Sequence, residues 1–206
     1  VKIRKLIRRA IPNVFRKTMR RRLDALRREL KAPKMTVGYA DSTGVWKANI
    51  RLSDTVFFDH PERIEIHDHV FVWHYTILDG TGGLIIEEGC QIGAWVGIFT
   101  HSSHIAIRLY GAHYHESQGE EKRAYPIARV RIGKYTFVGA GAKILPGVTI
   151  GRGSIVAAGS IVSKNVGDFQ IVSGNPAEVI GDTRTLDKRY LKDPTLRNWY
   201  EEWQRA

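Results

Sequence analysis

From residue 66 onward an aliphatic residue recurs at every sixth position with few interruptions, and this period limits the folds open to the chain more than any other feature. The anchors are Ile66, Val72, Leu78, Ile86, Ile92 and Ile98, then Ile132, Val138, Ile144, Ile150, Val156 and Val162. Four residues past each anchor stands a small or β-branched side chain: Val70, Thr76, Gly82, Cys90, Val96, Ser102, Thr136, Ala142, Val148, Ser154, Ser160 and Val166. A helix repeats at about 3.6 residues and a strand meander at about 2, so neither accounts for a strict six. The period predicts an all-β solenoid, a triangular coil with three short strands per turn, in which each hexad supplies one flat side and one corner. Successive coils stack about 4.8 Å apart and bury what none could bury alone. Ile50 and Val56 read as the start of an earlier, less regular coil, with Pro61 in a loop before Ile64.

The repeat assigns residues 35–181 to one domain and leaves two flanks. The net charge of +11 suggests a nucleic-acid ligand until it is divided along the chain. Residues 1–34 hold fourteen Lys and Arg against Asp24 and Glu29, so the basic character belongs to this arm. Within it Ile3, Leu6, Ile7, Ala10, Ile11, Val14 and Phe15, then Met19, Leu23, Leu26 and Leu30, recur at helical spacing, with Pro12 expected to divide two amphipathic helices. Such an arm fits peripheral contact with an anionic membrane surface, or packing on its own oligomer. No base-reading motif accompanies the charge, so nucleic acid is not an expected partner. No stretch has the length of a transmembrane span and no signal-peptide centre is visible. Cys90 is the one cysteine, which rules out an intramolecular disulfide, and a cytoplasmic location is expected. Residues 182–206 are expected to form a helical cap, with Asp193 and Pro194 opening a helix that bears Leu196, Trp199, Tyr200 and Trp203. Trp199 and Trp203 are four apart and so share a face.

The run "IGKYTFVGAGAKILPGVTIGRGSIVAAGSIVSKNV" followed by "IVSGNPAEVI" resembles the closing coils of the hexapeptide-repeat acyltransferases, among them the maltose, galactoside and surface-polysaccharide O-acetyltransferases. The resemblance covers residues 48–181. It implies a left-handed parallel β-helix, a homotrimer, acetyl-CoA as acyl donor with no metal, and a sugar, lipid-linked glycan or cell-surface polysaccharide precursor as acceptor. The left hand comes from the resemblance alone, since the general preference for right-handed crossovers points the other way. An N-acetyltransferase of a nucleotide amino sugar, an antibiotic acetyltransferase, a zinc enzyme like the γ-class carbonic anhydrases and a non-catalytic scaffold are the alternatives.

Two departures from the period locate the chemistry. One is a two-residue insertion in "LDGTGG" between Leu78 and Ile86; the other is an excursion, residues 103–129, between Ile98 and Ile132. Half of the eight histidines, His101, His104, His113 and His115, lie at or just inside this excursion, with Tyr110 and Tyr114. The resemblance implies that His101 is the general base and that His104 helps hold the acceptor; for His104, His113 and His115 local hydrogen bonding is the competing reading. Counting hexads in threes stacks Asp79, Phe99, Leu145 and Ser163 in one column. Asp79 reads either as an acceptor ligand, by resemblance, or as a turn residue before Gly80. A second column, His74, Ala94, Ala140 and Ala158, forms a smooth groove suited to a pantetheine arm or to a neighbouring subunit, with His74 assigned to the acceptor. By resemblance Ala140, Ala158, Ser163 and Lys164 contact coenzyme A, and a backbone N–H near Ala140 or Ala142 faces the thioester oxygen. Where some relatives carry phosphate-binding arginines this chain has Glu178 and Gly181, which leaves Arg152, Lys164 or Arg184 as substitutes.

Overall fold

A computed structural model describes residues 13–116 and 123–205. The chain divides into two compact units, residues 1–34 and 35–206. In the first, α1 (Asn13–Lys31) is a single helix with no acidic residue in its opening turn. Its apolar residues Phe15, Met19, Leu23 and Leu26 are each more than half exposed. The helix expected before Pro12 lies outside the described residues.

The second unit opens with a hairpin, β1 (Met35–Ala40) antiparallel to β2 (Trp46–Ser53). Asp41 fastens its turn by accepting N–H bonds from Thr43 and Val45, both at 3.0 Å. From β2 the chain visits three parallel sheets in rotation. The first face holds β2, β5 (Phe71–Val72), β8 (Gln91–Ile92), β11 (Phe137–Val138), β14 (Ile155–Val156) and β16 (Gln170–Gly174). The second holds β3 (Phe57–Asp59), β6 (Ile77–Asp79), β9 (Gly97–Ile98), β12 (Lys143–Ile144) and β15 (Ile161–Val162). The third holds β4 (Ile64–Ile66), β7 (Leu84–Ile86), β10 (Val130–Ile132) and β13 (Thr149–Ile150). Strands three apart in sequence are therefore neighbours in space. The pairing of Ile150 with Val166 adds a last rung to the third face, and β17 (Ala177–Asp182) closes the first face antiparallel to β16.

The hexads explain this arrangement directly. All twelve anchors are buried to 1% exposure or less, each contributing about 1.5–3 kcal/mol relative to an exposed position. The residues four past the anchors are buried too, except Gly82 and Ser102, which flank the two departures from the period. Of the polar ones, Ser160 Oγ accepts from the Gly174 N–H at 3.3 Å, while three donate to the next coil, Thr76 to the Gly93 carbonyl at 2.9 Å, Thr136 to Gly151 at 2.9 Å and Ser154 to Gly167 at 2.8 Å. The Cys90 thiol does the same to Gly133 at 3.1 Å, and burial pushes its pKa up to about 12. Such bonds remove most of the cost of enclosing a polar group. Glycine follows an anchor because the next coil occupies the space of a side chain. A Cβ on Gly139 would stand 2.5 Å from the Ala158 nitrogen, and one on Gly93 2.7 Å from that of Ala140.

The first-to-second corner turns on the left-handed residues Tyr75, Trp95, Gly141 and Gly159, with φ between 57° and 75°. At the third-to-first corner each turn is made by one residue with left-handed backbone: His69, Gly89, Tyr135, Gly153 and Phe169, all with φ between 56° and 70°. The second-to-third corner carries every insertion. Eight residues separate Phe58 from Ile66, as they separate Leu78 from Ile86, and Asp59 pairs with Asp79. The "LDGTGG" insertion is thus shared by two coils, with the Pro61–Arg63 3₁₀ turn as its counterpart. Short helix α2 (Ala106–Tyr110) lies in the third coil's excursion.

After β17 come α3 (Thr183–Asp187) and α4 (Pro194–Arg205). Asp193 caps α4 by accepting from the N–H groups of Thr195 and Leu196 at 2.8 and 3.2 Å. Trp203 packs against Tyr135 and Phe169, with ring centroids 4.9 and 5.8 Å away, which places its contacts along the third-to-first corner. Trp199 does not share that contact and is 61% exposed.

Candidate active site

The site is built where the excursion leaves and rejoins the stack. Its two ends form an antiparallel clasp: Ala128 N–H bonds to the Thr100 carbonyl at 2.9 Å, Ser102 N–H to Pro126 at 3.0 Å, and His101 bridges Ile127. His101 therefore sits on a hydrogen-bonded base although it belongs to a long insertion.

Beneath it lies Asp79, 1% exposed, on the preceding coil. One carboxylate oxygen accepts from the Thr81 N–H at 2.9 Å; the other accepts from the Thr100 N–H and from His101 Nδ1, both at 2.7 Å. Burial by itself would push this carboxyl up. The hydrogen bonds from Thr81, Thr100 and His101 outweigh it and bring the pKa down to about 2. An ionised carboxylate only accepts, so Nδ1 carries the proton and the neutral imidazole keeps its lone pair on Nε2. Tyr125 stacks on the ring at 5.7 Å and 21°, which fixes its plane. The Thr100 hydroxyl accepts from Gly82 N–H at 2.8 Å and donates to the Asp79 carbonyl at 3.1 Å, joining both departures from the period.

This arrangement corrects the reading of Asp79 as an acceptor ligand. Its oxygens are held by the turn, the next strand and the imidazole, so it orients His101. The structure brings His101, His104 and Ser163 together with Phe99, Leu145, Pro126 and Pro146 around a cleft of about 630 Å³. His104 is exposed and bonded through Nδ1 to Ser102 Oγ at 2.7 Å. His113 is engaged with Glu116 at 2.8 Å and does not line the cleft.

The other assigned residues are elsewhere in the chain. His74, Ala94, Ala140 and Ala158 do stack, as the ladder from Trp95 to Gly141 and Gly159 shows, but at the first-to-second corner. His74 is half-buried and bonded to Ser53 Oγ at 2.7 Å. Ala142 is fully buried in the core and its N–H bonds to Gly139, so neither its side chain nor its amide serves a cofactor. Lys164 is exposed beside Ser163 and pairs with Glu178 at 3.7 Å. Arg184 is bound to Asp182, and Arg152 to Asp168 at 3.4 Å and to the Gln204 carbonyl at 3.1 Å. Sequence reasoning missed Tyr125 and the part played by Thr100; the "YP" dipeptide at the foot of the excursion was the available signal. Among the described residues no group of three or more His, Cys, Asp or Glu is placed to hold a metal ion.

The sequence model of the family described as "Bacterial transferase hexapeptide (six repeats)" matches residues 129–164. The Saccharomyces cerevisiae protein named "Putative acetyltransferase YJL218W" is 33% identical over 154 residues, 73% of this chain and 69% of its own length. Serine acetyltransferase of Buchnera aphidicola subsp. Schizaphis graminum is 36% identical over 129 residues, 63% of this chain but only 44% of its own length, so the chain spans less than half of that relative. Among solved structures, the hexapeptide-repeat acetyltransferase of Vibrio cholerae O1 biovar eltor, complexed with acetyl-coenzyme A, superposes with a TM-score of 0.53 at 26% identity, covering 62% of this chain and 64% of that one. The chain belongs to the hexapeptide-repeat acetyltransferases.

Proposed function

We propose that this protein is an acetyl-CoA-dependent O-acetyltransferase that modifies a sugar hydroxyl on a cell-surface polysaccharide precursor, with His101 as general base. The observation that carries this reading is the Asp79–His101 pair at 2.7 Å on the wall of a cleft lined by Phe99, Leu145 and Ser163. The cleft's apolar walls, with the Ser163 hydroxyl and exposed Lys164 beside it, suit a slender pantetheine arm. Acetyl-CoA supplies the acetyl group as a thioester. His101 Nε2 takes the acceptor hydroxyl proton as the oxygen attacks the acetyl carbonyl; the new C–O bond forms, the C–S bond breaks, and the imidazolium returns its proton to the departing sulfur. Anionic Asp79 stabilises the imidazolium in between. His104 lines the same cleft and would hold the acceptor.

The period of six supports a β-helix, and the family supports its left hand. A homotrimer would bring the Ala140 and Ala158 groove of one subunit toward the His101 cleft of another, which explains why one chain keeps them on separate corners. A cytoplasmic location follows from the compartment of the acyl donor. The test is acetyl transfer followed by mass spectrometry against a panel of sugars, glycan intermediates, amino sugars and serine, with His101→Ala in parallel. Transfer to sugar hydroxyls that depends on His101 supports the proposal; transfer only to amines or to serine, or full activity without His101, overturns it. Light scattering at three chain masses is expected, and a monomer or dimer would refute the shared groove.

A further inference from the structure

Helix α1 leaves an apolar stripe uncovered. Phe15, Met19, Leu23 and Leu26 fall within a sector of about 80° at the α-helical repeat, and each is 53–56% exposed. Arg20 and Arg22 stand on the two sides of this sector, Lys17 and Arg21 opposite it, and all four are exposed. The helix's nineteen residues carry eight basic groups against Asp24 and Glu29. It is amphipathic, and among the described residues no helix is long and apolar enough to cross a membrane.

We infer that α1 lies flat on an anionic bilayer, with Phe15, Met19, Leu23 and Leu26 inserted among the acyl chains near the headgroups and Arg20 and Arg22, on the two sides of the stripe, facing lipid phosphates. Charge decides the occupant. A second copy of this chain would bring an equally basic helix against the first, with few acidic partners to offset it, whereas acidic headgroups neutralise both flanks of the stripe at once. A nucleic acid would neutralise the charge but leave the exposed Phe15 ring and the aliphatic chains in water. The inference concerns α1 alone and stands or falls independently of the acetyl-transfer chemistry.

The test is flotation of the full chain with vesicles of phosphatidylcholine alone and of phosphatidylcholine mixed with phosphatidylglycerol. Flotation is expected only with the mixed vesicles and should fall as salt is raised. Replacing the two flanking arginines (Arg20→Gln, Arg22→Gln) should weaken binding about twenty-five-fold, near fivefold per charge. Met19→Ser with Leu23→Ser should weaken it at least about tenfold, while Leu23→Met should keep it. Equal flotation with both vesicle types, or none with either, overturns the inference. So does a Ser variant that changes the oligomer mass by light scattering while binding vesicles as the parent does, since the stripe would then be a self-association surface.

Discussion

Two corners of the same stack treat the six-residue period in opposite ways. At the third-to-first corner the chain turns on single left-handed residues, and α4 packs Trp203 onto the Tyr135 and Phe169 rings that result. At the second-to-third corner three successive coils add residues, and the added segments hold Thr81, Gly82, His101 and Tyr125. The first corner spends backbone strain of about 1 kcal/mol per non-glycine residue on packing. The second relaxes the period, and the hydrogen bonds freed from the ladder assemble the Asp79–His101 pair. Regularity in this fold supplies stability, and departure from it supplies chemistry.

The largest expected effect breaks the comparison at the chemical corner. His101→Ala should lower kcat by roughly 10² to 10⁴ with only a small fall in melting temperature, since Asp79 keeps the Thr81 and Thr100 N–H groups, measured by acetyl transfer and calorimetry. Equal loss of stability would mean that the two corners do not differ in role. Asp79→Asn removes the charge but keeps the shape; turnover should fall by about 10²-fold, with the activity–pH profile displaced because the imidazolium loses its anionic partner. A purely structural Asp79 would change the melt and leave the profile in place. In the regular part of the stack the order reverses: Gly139→Ala forces a Cβ against the Ala158 backbone and should cost about 2–3 kcal/mol in denaturant unfolding, with the kcat of the folded fraction unchanged. The smallest effect is in acid. Asp79 has a folded pKa of about 2 against 3.8 in the open chain, so its contribution of about 2 kcal/mol is complete above pH 4 and is lost as pH falls toward 2. Acid unfolding of the parent should show this dependence, and Asp79→Asn should lack it.

How far the sequence carried differs between the same regions. The twelve anchors were legible because a period of six leaves aliphatic residues no other way to be buried together. Counting hexads in threes also gave the columns, and Phe99, Leu145 and Ser163 do share one cleft with His101. The direction of Asp79 was not legible. A corner carboxylate can turn to solvent or to the next coil, and the choice depends on donors from Thr81, Thr100 and His101 that no spacing rule encodes. Tyr125 was hidden for a related reason, since it reaches the imidazole only through the clasp closing the excursion. Ala142 was assigned by resemblance, for its backbone N–H, yet it stands four past the Val138 anchor, where the side chain is enclosed and the N–H bonds to Gly139.

The sulfur held by Gly133 has a practical corollary. As the chain's one sulfhydryl, enclosed and far too weak an acid to ionise at neutral pH, Cys90 should stay silent toward Ellman-type reagents while the fold is intact. A colorimetric readout of liberated coenzyme would then carry no background from the catalyst, and one equivalent of colour appearing on heating would report global opening of the coil.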